Sequence, residues 1–72
     1  MYNNDYLRKL RMDKGWTVMV AEEKLKMSRG NYTKLEMGRY KNIPCDLLKR
    51  LHRELGADLY QLLNITDEER ND

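Results

Sequence analysis

Residues 17–38 read TVMVAEEKLKMSRGNYTKLEMG, and this pattern predicts two short helices joined by a tight turn. Thr17 has a side chain that can accept a hydrogen bond from the first turn of a helix, so it is the expected N-cap of the first one. This helix would run from Val18 to about Lys26. The positions with the spacing of one buried helical face are Val18, Ala21 and Leu25.

The second helix is expected to begin after Ser28, as its N-cap, and to end at Gly38. Because an α-helix advances about 100° per residue, Tyr32 and Leu35 would point toward the core. The opposite face would carry Arg29, Gly30, Thr33, Lys34 and Met37. Such a face can approach a polyanion closely, and the N–H groups at the start of the helix would favour a phosphate. The alternative is that any small protein has one basic helix face.

The chain of 72 residues is predicted to be a single all-α domain of five short helices. An ordered core is expected over about residues 5–63, followed by an acidic tail, residues 64–72. Helix 1 would run from about Asp5 to Lys14, capped by Asn3 or Asn4, and Trp16 would close the core. Helix 4 would start with Pro44 in its first turn, and Asp58 would cap helix 5. The leucines expected to face inward are Leu7, Leu10, Leu47, Leu48, Leu51 and Leu55, and helix 5 would contain Leu59, Leu62 and Leu63.

Charge is distributed unevenly along the chain, although the net charge is only +2. Residues 28–41 contain four Lys or Arg and one Glu, a local charge of +3. The tail, residues 64–72, contains four acids and one Arg, a local charge of −3. This separation indicates a charged partner, although a solvated face with a frayed tail would give the same pattern.

The sequence gives little support for catalysis, a metal site or membrane insertion. No apolar run is long enough to span a bilayer or form a signal peptide, which predicts a cytoplasmic protein. Cys45 has no second thiol for a disulfide or a metal and is expected to pack, and His52 is expected to be a solvated surface residue. We therefore expect no enzyme activity, cofactor, metal or small-molecule substrate.

The order and spacing of several motifs resemble the Cro/lambda-repressor-type (XRE-like) helix-turn-helix domain. The motifs are Gly15-Trp16-Thr17, Lys26-Met27-Ser28-Arg29, Tyr32 and Leu35-Glu36-x-Gly38, with leucine-rich helices 4 and 5. The resemblance covers about residues 5–63. It implies a sequence-specific DNA-binding transcriptional regulator, of the repressor type, that places helix 3 in the major groove of double-stranded DNA as a homodimer.

Carried over position by position, the resemblance also implies site residues. The base contacts would be Arg29, Gly30 and Lys34, with Asn31 and Thr33 as further candidates. The phosphate contacts would be Ser28, Arg39, Lys41 and Arg11. A structural ion pair between Arg11 and Glu36 is implied as well, and the leucines of helix 5 with the loop after Gly38 would supply the dimer contact.

Three positions depart from the family pattern. Val18 replaces a phosphate-binding glutamine. Glu22 replaces an alanine at the close helix crossing, so either Glu22 is splayed toward solvent or Ala21 takes that place. Lys26 replaces the turn glycine and must adopt a left-handed conformation or open the turn. Gly30 would cost roughly 1 kcal/mol relative to alanine in a helix interior.

These departures leave a second function open. A divergent member, of phage or mobile-element origin, could be a protein-interaction module on the same fold. Such an antitoxin-like, antirepressor or inhibitor protein would bind a protein partner through the apolar residues Val18, Met19 and Val20, or through the acidic tail, with weak or no DNA binding.

Overall fold

The computed structural model describes residues 2–65, and all regular secondary structure in that range is helical. The helices are α1 (Asn4–Asp13), α2 (Val18–Leu25), α3 (Asn31–Glu36), α4 (Cys45–Leu55) and α5 (Leu59–Leu62). The predicted all-α, five-helix fold class is therefore confirmed. α1 packs against α3 and α5, and α2 packs against α3 and α4. The acidic residues predicted to form the tail, Asp67, Glu68, Glu69 and Asp72, lie outside the described residues.

One hydrophobic core joins the helices. Its buried members are Tyr2, Leu7, Ala21, Leu25, Tyr32, Leu35, Leu47, Leu51, Leu55, Ala57 and Leu62. Trp16 is partly buried and packs against this core, as predicted. Cys45 is exposed instead of packed, because Leu47, Leu51 and Leu55 form the inner face of α4. No helix within residues 2–65 has the length and apolar composition that crossing a membrane requires.

Three helices are capped by the side chain of their own N-cap residue. Asn3 accepts the N–H of Tyr6 at the start of α1, at 3.3 Å. Thr17 accepts the N–H of Val20 at the start of α2, at 3.2 Å. Asp58 likewise caps α5. Pro44 was predicted in the first turn of α4, but it occupies the N-cap position, one residue before the helix.

The turn after α2 closes through a left-handed residue. Lys26 has φ 55° and ψ 44°, so the first of the two alternatives for the missing glycine is correct. The N–H of Met27 donates to the carbonyl of Glu22 at 2.9 Å, as in the Schellman motif that ends many helices. The guanidinium of Arg50 donates to the carbonyl of Leu25 at 3.0 Å. The turn thus stays tight without glycine.

The start of α3 differs from the prediction. Ser28 is not its N-cap, because Gly30 occupies that position with φ 88° and ψ −16°, which a helix cannot contain. The N–H of Asn31 donates to the carbonyl of Ser28 at 3.1 Å and closes a β-turn over residues 28–31. Arg29 and Gly30 therefore precede α3, and the predicted helical cost of Gly30 does not arise.

Candidate nucleic-acid interface

The short helix α3 is held by two fully buried side chains. Tyr32 and Leu35 both have 0% exposure, so they anchor the inner side of the helix as predicted. The Tyr32 hydroxyl donates to the carbonyl of Leu7 at 3.4 Å. Burial raises the pKa of the Tyr32 phenol well above its ordinary value of 10.0. The neutral phenol is thus part of the core that fixes the orientation of α3.

The outer side of α3 is open to solvent. Thr33 and Lys34 are exposed, and Met37, which follows the last helical residue, is 53% exposed. Arg29 is also exposed but projects from the β-turn that precedes the helix. Asn31, the first residue of α3, is only partly exposed. The exposed surface therefore combines a turn and a helix face, where the sequence predicted one continuous helix face.

The N-terminus of α3 is capped from α2. Glu22 is only 6% exposed, and its carboxylate accepts the backbone N–H of Tyr32 at 3.2 Å. Ala21 is fully buried beside it, so Glu22 is not splayed toward solvent. The N–H groups of Ser28 and Arg29 were predicted to form the start of this helix, but both residues precede it, and Glu22 accepts an N–H of its first turn. The phosphate contact of Ser28 stays a prediction. One indication of this cap is visible in the sequence, since Glu22 is a charged residue where the family has alanine.

The C-terminal end of α3 carries a nearly buried ion pair. Arg11 Nε lies 2.7 Å from Glu36 Oε1, and Arg11 Nη2 lies 3.4 Å from Oε2. Arg11 Nη1 also donates to the carbonyl of Trp16 at 2.8 Å. The hydrogen bond with Glu36 raises the pKa of Arg11. The guanidinium is thus engaged on three sides with protein acceptors.

The N-terminal segment fastens the same end of α3, a role that the sequence did not reveal. Tyr2 is 8% exposed, and its hydroxyl donates to the carbonyl of Leu35 at 2.6 Å. The same hydroxyl accepts the N–H of Tyr40 at 3.4 Å. Asn4 Nδ2 donates to the carbonyl of Glu36 at 2.8 Å. Burial raises the pKa of Tyr2 as well.

Comparison with known proteins agrees with this geometry. A family model described as a helix-turn-helix domain matches residues 5–72, almost the whole chain. The chain belongs to the helix-turn-helix domain family. Neither a curated protein nor a solved structure shows a significant match to it. Membership of the helix-turn-helix family indicates a DNA-binding regulator.

The predicted contact residues of the helix-turn-helix lie in three neighbouring segments. Ser28, Arg29 and Gly30 lie in the turn before α3, and Asn31, Thr33 and Lys34 lie in α3 itself. Arg39 and Lys41 are exposed in the loop that follows. The exposed cations thus flank the anchored helix along the chain, whereas Arg11 lies among protein acceptors and 15% of its side chain is exposed.

Other candidate chemistry is sparse around the helix-turn-helix. Among residues 2–65, no group of three or more His, Cys, Asp or Glu residues is arranged to hold a metal ion. His52 is exposed, and its Nδ1 lies 2.8 Å from the carbonyl oxygen of Ala57. This contact lies at the end of α4 and holds the turn into α5.

Proposed function

We propose that this helix-turn-helix protein is a sequence-specific transcriptional regulator, of the repressor type, that binds double-stranded DNA as a homodimer. The observation that carries the proposal is the exposure of Arg29, in the turn before α3, and of Lys34, on α3, while Tyr32 and Leu35 anchor the inner side of this helix. Because the core fixes α3, less conformational freedom is lost when the cationic side chains bind. The exposed Arg29 and Lys34 can therefore approach the base edges of a major groove.

Two side chains are proposed as the principal base contacts. Arg29 would reach from the β-turn and Lys34 from α3, and both residue types can read guanine through O6 and N7. Thr33 can offer its hydroxyl or its methyl group to a neighbouring base, and Asn31 is partly available. Gly30 has no side chain to contact a base, so its proposed contribution is the close approach of the turn to the DNA.

A separate set of residues would hold the DNA backbone. Arg39, Lys41 and Ser28 are exposed beside α3 and can donate to phosphate oxygens. Arg11 is excluded from this set, because its guanidinium is engaged with Glu36 and Trp16. We propose for Arg11 the role of holding α3 in place.

Selection of bound sites from a random DNA pool, followed by binding titrations, tests the proposal. Lys34→Ala should relax the base preference at one position of the selected site, and Lys41→Ala should weaken binding to all sequences alike. Lys41→Ala should also lower the slope of log affinity against log salt by about 1 per protomer. Lys9→Ala, an exposed lysine on α1, is the matched control. Unchanged binding in both test variants would refute the assignments.

The proposed homodimer cannot use all the leucines of α5 as its contact surface. Leu62 has 0% exposure and belongs to the monomer core, so the prediction that it contributes to the dimer is wrong. The loop from Arg39 to Ile43 remains available at Asn42, which is exposed and is not among the proposed phosphate contacts. Sedimentation equilibrium with and without DNA tests the dimer, and a selected site with two symmetric halves would support it.

A protein-interaction module is the second candidate, and one observation favours it. Met19 on α2 is 70% exposed, between the partly buried Val18 and Val20. Methionine is frequent in surfaces that bind several protein partners, because its side chain adapts to different shapes. Absence of DNA binding at low salt, together with a partner whose capture is lost in Met19→Glu, would favour this candidate over the regulator.

A further inference from the structure

A basic depression of about 360 Å³ lies between the α2–α3 turn and α4. Its lining residues are Lys26, Asp46, Lys49, Arg50 and Arg53. The four members from α4 follow the spacing i, i+3, i+4 and i+7, so they share one helix face. Four cations against one carboxylate give the depression a net charge of +3. None of these residues belongs to the contact set proposed above.

Intramolecular contacts account for only part of this charge. Arg50 is held by the carbonyls of Leu25 and Asp46, at 3.0 and 3.3 Å. Arg53 pairs with Glu54, but the Arg53 side chain is 65% exposed and such surface pairs contribute little. Within residues 2–65, Lys26 and Lys49 have no acidic partner.

Folding stability accounts for Arg50, which bonds to the α2–α3 turn and lies four residues after Asp46, but less well for the other cations. Lys49 and Arg53 are four residues apart on α4, and like charges at that spacing destabilise a helix slightly. Lys26 adds a further positive charge and adopts a left-handed conformation that glycine would adopt at lower energy. The positive charge of Lys26, Lys49 and Arg53, which folding explains least, is explained better by an anionic ligand.

We infer that the basic depression binds phosphate groups of a nucleic-acid backbone, as a contact area separate from the outer side of α3. The inference rests on the proposed function. Lys26 precedes Arg29 by three residues, so their Cα atoms are at most about 11 Å apart. A duplex carries one phosphate per about 3.4 Å of axis on each strand. A strand that passes Arg29 would therefore bring further phosphates within reach of the depression.

The composition of the lining favours phosphates over an acidic protein. Protein interfaces have a centre depleted of charged residues and enriched in aromatic side chains. Every lining residue of the basic depression is charged, and none is aromatic. Lysine ammonium groups on flexible side chains suit a row of phosphates, because this contact requires no apolar surface of fixed shape.

Removal of two charges tests the inference. The double variant Lys49→Gln/Arg53→Gln leaves Arg50 and its bonds to the turn in place. Its affinity should fall alike for the selected DNA site and for a random duplex of equal length, while the base preference stays unchanged. The slope of log affinity against log salt should decrease by about 2 per protomer. Fluorescence anisotropy over a range of salt concentrations measures both quantities.

The control and the failed outcomes are distinguishable. Arg8→Gln/Lys9→Gln removes the same two residue types from exposed positions on α1 and should retain the parent slope. An equal loss in this control would assign the effect to net charge and overturn the inference. If Lys49→Gln/Arg53→Gln keeps the salt slope of the parent protein, this inference alone is overturned. If the parent protein binds no DNA, the proposed function is overturned too. Should the double variant fail to fold by circular dichroism, Lys49→Gln against Lys9→Gln gives the same comparison, with a slope change of about 1.

Discussion

The carboxylate of Glu22 accepts the backbone N–H of Tyr32 at 3.2 Å, so a buried side chain of α2 caps α3. Gly30, the N-cap residue of α3, has no side chain with which to do this. A cap supplied by the preceding helix links the two elements more directly than a local cap would. The orientation of α3 therefore depends on the position of α2.

We expect Glu22→Ala to lower the free energy of unfolding by about 1–2 kcal/mol, as the loss of other helix caps does. Glu22→Gln should lose less, because the amide oxygen can still accept the Tyr32 N–H. Urea unfolding followed by circular dichroism measures both changes. Glu23→Ala, at the exposed neighbouring position, should leave stability almost unchanged. Equal stability of Glu22→Ala and the parent would show that the cap contributes nothing.

The ion pair between Arg11 and Glu36 predicts a larger loss. Their side chains are 15% and 6% exposed, and removal of one partner leaves the other charge nearly buried. Arg11→Met should therefore cost about 3–5 kcal/mol, enough to unfold much of a domain this small. The double variant Arg11→Met/Glu36→Leu should be more stable than the sum of the single losses predicts.

The exposed pair Arg53 and Glu54 is the comparison for these variants of Arg11 and Glu36. Its nitrogen and oxygen lie 3.0 Å apart, yet the Arg53 side chain is 65% exposed. Arg53→Met should change the free energy of unfolding by less than about 1 kcal/mol. Similar losses at the two sites would contradict the view that burial makes the Arg11 pair important.

Gly30→Ala should destabilise the protein, although alanine is the better residue in a helix interior. Gly30 has φ +88°, and an added Cβ would meet no atom within 4 Å, so the cost comes from the backbone conformation alone. We expect a loss of about 1–2 kcal/mol in thermal or urea unfolding. Gly30→Asn should lose less, since asparagine tolerates positive φ better.

Lys26→Gly provides the opposite change at the other end of the same turn. Lys26 has φ 55°, so glycine should relieve strain and raise the free energy of unfolding by up to about 1 kcal/mol. If Gly30→Ala were stabilising and Lys26→Gly destabilising, the left-handed conformations at both positions would be wrong.

The buried tyrosines predict a loss of stability at alkaline pH. Burial raises the pKa of Tyr32 and Tyr2 above the ordinary value of 10.0, so the folded state keeps phenolic protons that the unfolded state releases. Stability contributed by these groups is complete below pH 10.0 and falls as the pH rises above it. The expected loss is about 1.4 kcal/mol per pH unit for each tyrosine that remains protonated.

Thermal unfolding of the parent and of Tyr32→Phe between pH 9 and pH 11 measures this effect. Tyr32→Phe should reduce the alkaline loss, and Tyr60→Phe, at a residue that is 44% exposed, is the matched control. An alkaline loss that is the same in all three proteins would exclude Tyr32 as a source.

The sequence predicts those parts of the fold that depend on local patterns. Helix positions follow from caps such as Thr17 and Asp58 and from the regular spacing of the leucines. The order of motifs was enough to anticipate the outer side of α3 and the contact between Arg11 and Glu36. These features depend on residues within one turn or on a pattern shared by many chains.

The unpredicted features involve partners that are distant in sequence. Tyr2 donates to a carbonyl 33 residues away, and Glu22 accepts from an N–H ten residues away. The sequence places the start of α3 too early, because Gly30 is permitted both in a helix, at a cost, and in a β-turn. Only the tertiary structure, with Glu22 as a cap, selects the β-turn.

The hydroxyl of Tyr2, bonded at Leu35 and Tyr40, has a practical consequence for experiments with recombinant protein. Tyr2 lines a small hollow together with Lys41, Asn42, Ile43 and Leu63. An affinity tag fused ahead of Tyr2 would be attached to the segment whose hydroxyl bonds at Leu35 and Tyr40, so a charged tag would add charge close along the chain to that contact. Binding measurements should therefore use protein from which such an extension has been cleaved.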